Sequence, residues 1–264
     1  MKIQDQIGNS LEIIETPLRI ISLVPSQTEL LVDLGLVKNI VGVTKFCLHP
    51  PSLKKEKTIV GGTKNINIQK IKELNPDIIL CNKEENTKEI VAQCIEIAPT
   101  HVSDIFTIDD VLALINQYSV IFSCKIIAAE ISKNILFSLN EFQKLIADKE
   151  PKKVAYFIWK KPWMVAGSNT FINSILEVNK FDNIYKNKQR YPEVSLDELK
   201  LKSELDCLLL SSEPYPFKEK DVEELREQFK KQRIILVDGE MFSWYGSRLI
   251  IAFEYFKTLH YKIP

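Results

Sequence analysis

The sequence predicts an α/β protein of two lobes, each with a central β-sheet flanked by helices, joined by one long helix. Short apolar segments alternate with helical patterns along the chain, one supersecondary unit occurs twice, and a helical pattern without glycine or proline separates the two occurrences. Such alternation is typical of parallel sheets covered by helices. We therefore predict an N-terminal lobe at 1–122, a connecting helix at 123–150 and a C-terminal lobe at 151–264.

The N-terminal lobe begins with a hairpin-like stretch from Lys2 to Glu15, which a buried strand follows at Ile20 to Val24. Ser26 and Glu29 then have the spacing of a capping box, which predicts a helix after this strand. Apolar periodicity predicts the rest of the lobe: the strand IVGVT, the helix NIQKIKELNPD, the strand IILCN, the helix TKEIVAQCIEI, the strand THVSD and the helix IDDVLALINQYSVIF.

The connecting helix has an apolar stripe, and the alternation of strands and helices resumes after it. Its length is about twice that of an average helix. The C-terminal lobe is predicted as the strand KVAYFIW, the helices TFINSILEVN and LDELKLKS, the strand CLLLSS, the helix VEELREQFKKQ, the strand RIILVD and the helix LIIAFEYFKTL. The stripe comprises Ile126, Ile127, Ala129, Ile131, Ile135, Leu136, Leu139 and Phe142.

A repeat links the two lobes. The segments IQKIKELNPDIILCN and LDELKLKSELDCLLLSS each contain a short helix, then Asp77 or Asp206, then an apolar strand. Repetition of one supersecondary unit predicts two lobes of similar fold.

Composition excludes several classes of function. Lys plus Arg and Asp plus Glu both number 35, so no net positive charge favours nucleic acid. No apolar run approaches the roughly 20 residues that cross a bilayer, so we expect no membrane insertion. The five cysteines are scattered without a C-x-x-C motif, which favours reduced thiols. The first residues lack the apolar core of a secretory signal, so we expect a cytoplasmic protein if Met1 is the native start.

Chemistry concentrates in the loops that follow the predicted strands, where ligands of open α/β sheets bind. These loops contain most of the tryptophans together with charged groups, a combination typical of pockets for flat, partly apolar ligands. Any single aromatic of the set is equally consistent with packing at the rim of a core. The candidate ligand-binding residues from these loops are Phe46, Cys47, His49, Trp159, Trp163, Arg190, Glu213, Tyr215, Glu240, Trp244, Tyr245 and Arg248.

The segment DGEMFSWYGSR is predicted to form one wall of the ligand site. Trp244 and Tyr245 are expected to face the ligand, with Glu240 and Arg248 at its polar edge. A cation such as Arg248 at the start of a helix opposes the positive end of the helix dipole, so it requires a compensating carboxylate. We expect Glu240 or an acidic group of the ligand to supply it.

Cys47 and His49 share one loop, and their pairing admits an enzyme as an alternative. Cys47 would act as nucleophile or metal ligand, and His49, Glu213 or Glu240 as acid or base, which requires a lowered pKa of the Cys47 thiol. No zinc or nucleophile-elbow motif is present, and we predict no metal site. A third possibility is an interaction module whose loop aromatics contact a protein partner.

Motifs along nearly the whole chain from Arg19 resemble one family. The segments ISLVPSQTELLVDLGL, IVGVT, the Pro-Pro loop, VGG with NIQKIKELNPDIIL, and VAYFIW followed by AGSNTFINSILE resemble the helical-backbone substrate-binding proteins of ABC importers. Within that family the cobalamin binders are most similar, with haem and iron-siderophore binders as relatives. The resemblance implies two Rossmann-like lobes, a rigid linking helix and a cleft between the lobes that holds a corrinoid or a related metal chelate without a covalent bond.

The resemblance also assigns residues. The aromatics of the family's cobalamin binder fall on Phe46 and on Tyr191, whereas Thr63 and Met164 replace two further aromatics, which implies a pocket of different composition. It implies a monomeric, non-enzymatic protein that is periplasmic if a leader was removed, and that docks on an ABC permease. The acidic docking positions of the family fall on Gln69 and Asp197, and Glu198 or Glu73 would substitute for the acid that is missing at Gln69.

Overall fold

A computed structural model describes residues 1–263 of the chain. Pro264, the last residue of the predicted C-terminal lobe, lies outside the described residues. The chain divides into two compact units. Unit 1 comprises Met1–Leu136 and Tyr245–Leu249, and unit 2 comprises Phe137–Trp244 and the residues from Ile250 onward. The domain bounds expected from the sequence stay a prediction.

Unit 1 contains an antiparallel hairpin and a parallel sheet of five strands in the order β5-β4-β3-β6-β7. All residues of β3 and β6 are buried, as expected for strands of a parallel sheet that is covered on both faces. The elements are β1 (Lys2–Gln4), β2 (Ser10–Glu12), β3 (Ile20–Ser22), α1 (Pro25–Asp33), a 3-10 turn (Val37–Asn39), β4 (Ile40–Val43), α2 (Leu53–Glu56), β5 (Thr58–Ile59), α3 (Ile68–Glu73), β6 (Ile78–Asn82), α4 (Lys88–Ile95), β7 (Thr100–Ser103) and α5 (Ile108–Ile121).

Unit 2 contains a second parallel sheet in the order β10-β8-β11-β12, to which β9 adds an antiparallel pairing on β8. The helix α6 (Lys125–Leu145) begins in unit 1 and ends in unit 2. The further elements are β8 (Lys152–Trp159), β9 (Met164–Val165), α7 (Phe171–Val178), β10 (Phe181–Asn183), α8 (Leu196–Lys200), β11 (Cys207–Ser211), α9 (Glu219–Gln228), β12 (Arg233–Val237), α10 (Gly239–Ser243) and α11 (Leu249–Lys262).

These two parallel sheets with flanking helices confirm the predicted fold class. The repeat seen in the sequence has the same structure in each unit: α3 precedes β6, and α8 precedes β11. Asp77 Oδ2 accepts hydrogen bonds from the backbone N–H groups of Leu18 and Arg19 at 2.8 and 2.9 Å. Asp206 Oδ2 accepts one from the Lys153 N–H at 2.7 Å. Each aspartate thus ties the start of its strand to the chain entering the neighbouring strand.

Two local predictions were wrong. The helix α1 begins at Pro25 with Val24 as its N-cap and without a side-chain cap, so Ser26 and Glu29 do not form a capping box. Proline suits the first helical position because its missing N–H would have no partner there. In α6 the predicted stripe is shifted, because Ile126 is 86% exposed whereas the side chain of Ala128 is buried.

The short elements α2, β5, β9, β10 and α10 were not predicted. Among residues 1–263, no helix combines the length and apolarity needed to cross a membrane.

Candidate functional site

Phe46 exposes an aromatic ring at the carboxyl end of the unit 1 sheet. It lies in the loop after β4, is 47% exposed, and has the ammonium of Lys45 5.0 Å from its ring centroid. A side chain at Gly62 would place its Cβ 3.1 Å from Phe46 Cε2, so glycine lets the ring lie against the neighbouring loop. An aromatic ring that remains exposed to solvent at the end of a strand can contact a ligand.

Cys47, in contrast, is part of the interior of unit 1. It is 1% exposed, and its Sγ lies 3.1 Å from Thr28 Oγ1 and 3.3 Å from Thr44 Oγ1. Burial raises the pKa of the Cys47 thiol, which is the opposite of the lowered pKa that the enzyme hypothesis requires. His49 is partly exposed on the same loop. Within the part of the chain that the structure describes, no three His, Cys, Asp or Glu side chains are arranged to hold a metal ion.

Arg248 forms a buried ion pair that the sequence did not predict. The guanidinium is bound by Glu29 of α1, with Nε donating to Oε2 at 2.8 Å and Nη2 to Oε1 at 2.6 Å. The two side chains are 4% and 14% exposed. Glu29 therefore supplies a compensating carboxylate in addition to the candidates named above. The i, i+3 spacing from Ser26 suggested a different role for it.

Tyr245 joins a buried polar network at the carboxyl end of β3 and β7. It is 6% exposed, and its hydroxyl receives a hydrogen bond from Gln27 Nε2 at 2.9 Å and lies 3.3 Å from Ser103 Oγ. Gln27 also donates to Ser103 at 2.6 Å and accepts from the Tyr118 hydroxyl at 2.6 Å. Gly246, with φ of +97°, follows directly and lies against α1, where a Cβ would be 3.3 Å from Leu30 Cβ. The segment Tyr245–Leu249 is thus anchored on α1 by contacts that were not visible in the sequence.

In unit 2, Trp159 and Tyr215 form an aromatic pair at the carboxyl ends of β8 and β11. Trp159 is 39% exposed, and the two rings meet edge to face with centroids 5.7 Å apart. The Tyr215 N–H donates to the Ile158 carbonyl at 3.3 Å, which fixes the loop after β11 beside the end of β8. Here the structure brings two predicted site residues together.

Trp163 lies deeper than its position in the sequence suggests. Its ring packs against Phe157 and Phe217 with centroids 5.5 and 5.9 Å away, in the hydrophobic cluster of unit 2. The Lys160 ammonium lies 5.4 Å from the same ring. Core packing therefore accounts for much of the surface of this ring.

Arg190 and Tyr191 form a separate pair on a loop of unit 2. The guanidinium carbon lies 5.7 Å from the Tyr191 ring centroid, and Arg190 Nη1 donates to the Asn169 carbonyl at 3.1 Å. Arg190 is exposed, and Tyr191 is partly exposed.

Glu213 is a carboxyl group at the carboxyl end of the unit 2 sheet, and two side chains donate hydrogen bonds to it. Its Oε1 accepts hydrogen bonds from Ser243 Oγ at 2.7 Å and from Trp244 Nε1 at 2.9 Å. Burial raises the pKa of this carboxyl, and the negative charges of Glu240 and Asp238 act in the same direction. Trp244 is 8% exposed, so its indole serves largely to hold Glu213.

Gly239 is what allows the chain to approach Glu213. A Cβ at this position would overlap Ser211 Oγ and lie 2.5 Å from Glu213 Cγ, so no larger residue fits without a shift of the loop. The segment DGEMFSWYGSR forms the short helix α10, with Asp238 as its N-cap, and the residues after it. Its first part belongs to unit 2, and its part from Tyr245 onward belongs to unit 1.

The proposed docking positions lie on two equivalent helices. Gln69 of α3 is exposed and donates from Nε2 to Glu73 at 3.1 Å. Asp197 of α8 is exposed and accepts from Lys200 at 2.8 Å, which lowers the pKa of its carboxyl. The backbone N–H of Glu198, also exposed, donates to Ser195 Oγ at 3.4 Å. The repeat thus places both positions in the first turn of the helix before the strand.

Comparison with known proteins gives a family match over most of the chain. The family model described as periplasmic binding protein matches residues 20–235. Among curated proteins, the chain is 26% identical to the uncharacterized ABC transporter substrate-binding lipoprotein YvrC of Bacillus subtilis, over 96% of this chain and 82% of that protein. It is 23% identical to the vitamin B12-binding protein of Pectobacterium carotovorum, over 89% of this chain and 86% of that protein.

Solved structures show the same fold at lower identity. The periplasmic vitamin B12 binding protein BtuF of Vibrio cholerae superposes with a TM-score of 0.78 at 21% identity, covering 92% of this chain and 96% of that chain. The molybdate-binding protein MolA of Haemophilus influenzae gives 0.80 at 16% identity, covering 99% and 91%. The haem-binding protein HutB of Vibrio cholerae gives 0.78 at 21% identity, covering 92% and 99%. Proteins with such different cargoes share the fold, so the fold does not select a ligand.

Proposed function

The chain belongs to the periplasmic binding protein family, and from this membership we propose that it is the substrate-binding protein of an ABC importer and that its ligand is a corrinoid. The curated relatives named as vitamin B12-binding proteins support the ligand class. Haem and iron-siderophores are the competing ligands, because relatives of the same fold bind haem. The titrations described below distinguish corrinoids from haem.

The observation that carries the proposal is an exposed aromatic side chain at the carboxyl end of each sheet. Phe46 in unit 1 is 47% exposed and Trp159 in unit 2 is 39% exposed, although large aromatics are more often covered. A flat macrocycle offers the apolar faces that such rings cover. Tyr215 supports Trp159 from the side, and the Arg190–Tyr191 pair supplies a cation for the polar edge of the ligand.

We propose that binding involves no covalent step and that the protein is not an enzyme. The thiol of Cys47 is buried, and its pKa is raised, so the thiolate that a nucleophile or a metal ligand needs is disfavoured. His49 is then a residue of the binding loop, and the corrinoid is bound and released intact.

The protein is further proposed to act outside the cytoplasm as a monomer and to dock on a permease. The B. subtilis relative is named a lipoprotein of an ABC transporter, which supports both the location and the partner. Asp197, Glu198 and Gln69 are proposed to face the permease, because they occupy equivalent exposed helices in the two units. Charges at the rim of such an interface act mainly on the association rate.

The proposal is tested by quenching of tryptophan fluorescence during separate titrations with cyanocobalamin, cobinamide and haemin, corrected for inner-filter absorption. We expect saturation at micromolar or lower concentration with the two corrinoids. Trp159→Ala should weaken their binding about tenfold, which is about 1.4 kcal/mol. The matched control is Phe137→Ala, which removes an aromatic that is 66% exposed and belongs to the helix α6, not to a loop that follows a strand.

Each outcome of these titrations supports or refutes the corrinoid proposal. Saturation with haemin alone reassigns the ligand to haem, and saturation with none of the three refutes the tetrapyrrole proposal. An equal loss in Phe137→Ala and Trp159→Ala places the ligand elsewhere than at the end of β8.

A further inference from the structure

We propose that Glu213 is a specificity-determining residue that accepts hydrogen bonds from N–H donors on the ligand edge and so selects rings with carboxamide side chains over rings with carboxylate side chains. This inference rests on the proposed function, since it concerns the same ligand class.

The two oxygens of Glu213 are in different situations. Oε1 is held by Ser243 Oγ and Trp244 Nε1 at 2.7 and 2.9 Å. Within residues 1–263 no hydrogen bond reaches Oε2, and this oxygen is accessible to water. The carboxylate is thus fixed in orientation by one oxygen and presents the other to the surface as an unused acceptor.

The position of Glu213 is that of a ligand contact. It follows β11 at the carboxyl end of the unit 2 sheet, where ligands of open α/β sheets bind. Tyr215, two residues later, packs its ring against the exposed ring of Trp159. The acceptor Oε2 therefore belongs to the loop that carries the aromatic surface, which is where the edge of a ring covering Trp159 would lie.

The charges around Glu213 disfavour an anionic edge. Glu240 and Asp238 add negative charge near the carboxyl group. The ammonium of Lys160, next to Trp159 in sequence, is already balanced by Asp221 and Glu224 at 2.7 and 2.6 Å. A ligand carboxylate at this place would meet the like charges of Glu213, Glu240 and Asp238, which is costly in a partly buried site. A carboxamide would instead donate an N–H to Oε2.

The held orientation is what makes this acceptor selective. A carboxylate on a flexible exposed side chain can turn away from a wrong ligand, whereas Glu213 is tied to Ser243 and Trp244 and cannot do so without losing both bonds. Gly239 closes the backbone against the same side chain. A site with a fixed polar group rejects the analogue that cannot pair with it, because the group is then left unpaired.

The test compares two ligands with the same corrin ring and different edges, cobinamide with carboxamides and cobyrinic acid with carboxylates. Wild-type protein is expected to bind cobinamide at least about tenfold more tightly, since a hydrogen bond to a charged group is of that order. Glu213→Gln keeps an oxygen for Ser243 and Trp244 and places an NH₂ group at the position of Oε2. It is expected to lose about tenfold in cobinamide affinity and to gain affinity for cobyrinic acid. Equilibrium dialysis read by the visible absorption of the corrin measures all four values.

Glu227→Gln is the matched control, because it removes the same charge from an exposed position of α9 in the same unit. It should keep the wild-type preference. If Glu213→Gln keeps that preference as well, this inference is refuted while the corrinoid proposal stands. If wild-type protein binds neither ligand, both fail. If Glu213→Gln does not fold, the wild-type comparison still decides, because equal affinity for the two edges refutes the selection.

Discussion

His260 is expected to make the stability of unit 2 depend on pH. Its side chain is 4% exposed, and its ring packs on those of Phe181 and Phe142 with centroids 5.1 and 5.6 Å away. Burial, together with the positive charge of Lys149, lowers the pKa of this imidazole from 6.5 to about 4. Its Nε2 has no hydrogen-bond partner among the described residues, and a hydrogen bond with the Asn179 backbone opposes the lowering only in part.

The sign and size of the effect follow from this lowered pKa. As the pH falls below 6.5, the unfolded chain binds a proton at His260 that the folded protein does not bind until about pH 4. Stability is therefore fully present above pH 6.5 and is lost as the pH falls through that window. The separation between 6.5 and about 4 corresponds to about 3 kcal/mol of unfolding free energy, of which about 2 kcal/mol is lost by pH 5.

The substitution His260→Phe tests whether His260 causes this loss of stability at low pH. Phenylalanine keeps an apolar ring beside Phe142 and Phe181 but does not titrate, so the variant should lose about 2 kcal/mol less than wild type between pH 8 and pH 5. Urea unfolding followed by tryptophan fluorescence measures the difference, because all three tryptophans belong to unit 2. Tyr261→Phe, at a neighbouring position that is 77% exposed, is the control and should behave as wild type. An equal loss in His260→Phe and wild type would refute the reasoning.

Two further predictions concern the interior of unit 1 and its thiols. Glu29→Gln removes the carboxylate that binds Arg248 through two hydrogen bonds, so it should destabilise unit 1 by about 3 kcal/mol. Faster hydrogen exchange in α1 measures this loss. The double variant Glu29→Gln, Arg248→Met should recover part of the lost stability. No recovery in the double variant would contradict a role for the pair as such. Iodoacetamide should label Cys124 before the other four cysteines of the native protein, because it alone among the five is not buried. Fastest labelling at Cys47 would instead revive the enzyme hypothesis.

The fold could be predicted because its elements are local and repeated. The apolar runs at β6, β8, β11 and β12 each stand between helical patterns, and the run at β3 precedes one. Every one of these runs is a strand of a parallel sheet. The repeat could be recognised because Asp77 and Asp206 each stand between a short helix and an apolar strand. In the structure both aspartates accept backbone N–H groups. The elements that were missed, α2, β5, β9, β10 and α10, have two to five residues each.

The candidate site could be predicted only in part. Phe46, Trp159, Tyr215 and Glu213 do lie at strand ends in the structure. Trp163 has the same kind of neighbours in the sequence but packs into the hydrophobic cluster of unit 2. A loop aromatic carries no local signal of its burial, because burial depends on what the remaining chain places against it.

The sequence by itself determined the order of strands and helices, the repeat, the two sheets and the loops in which chemistry concentrates, since each depends on periodicity and on turn residues within a short window. Only the tertiary structure decided which polar groups meet. Glu29 pairs with Arg248, Gln27 with Tyr245, and Glu213 with Trp244, at separations of 219, 218 and 31 residues along the chain. Such pairs form because a buried charge or hydroxyl must find a partner wherever the fold brings one near, and distance along the chain does not enter that requirement.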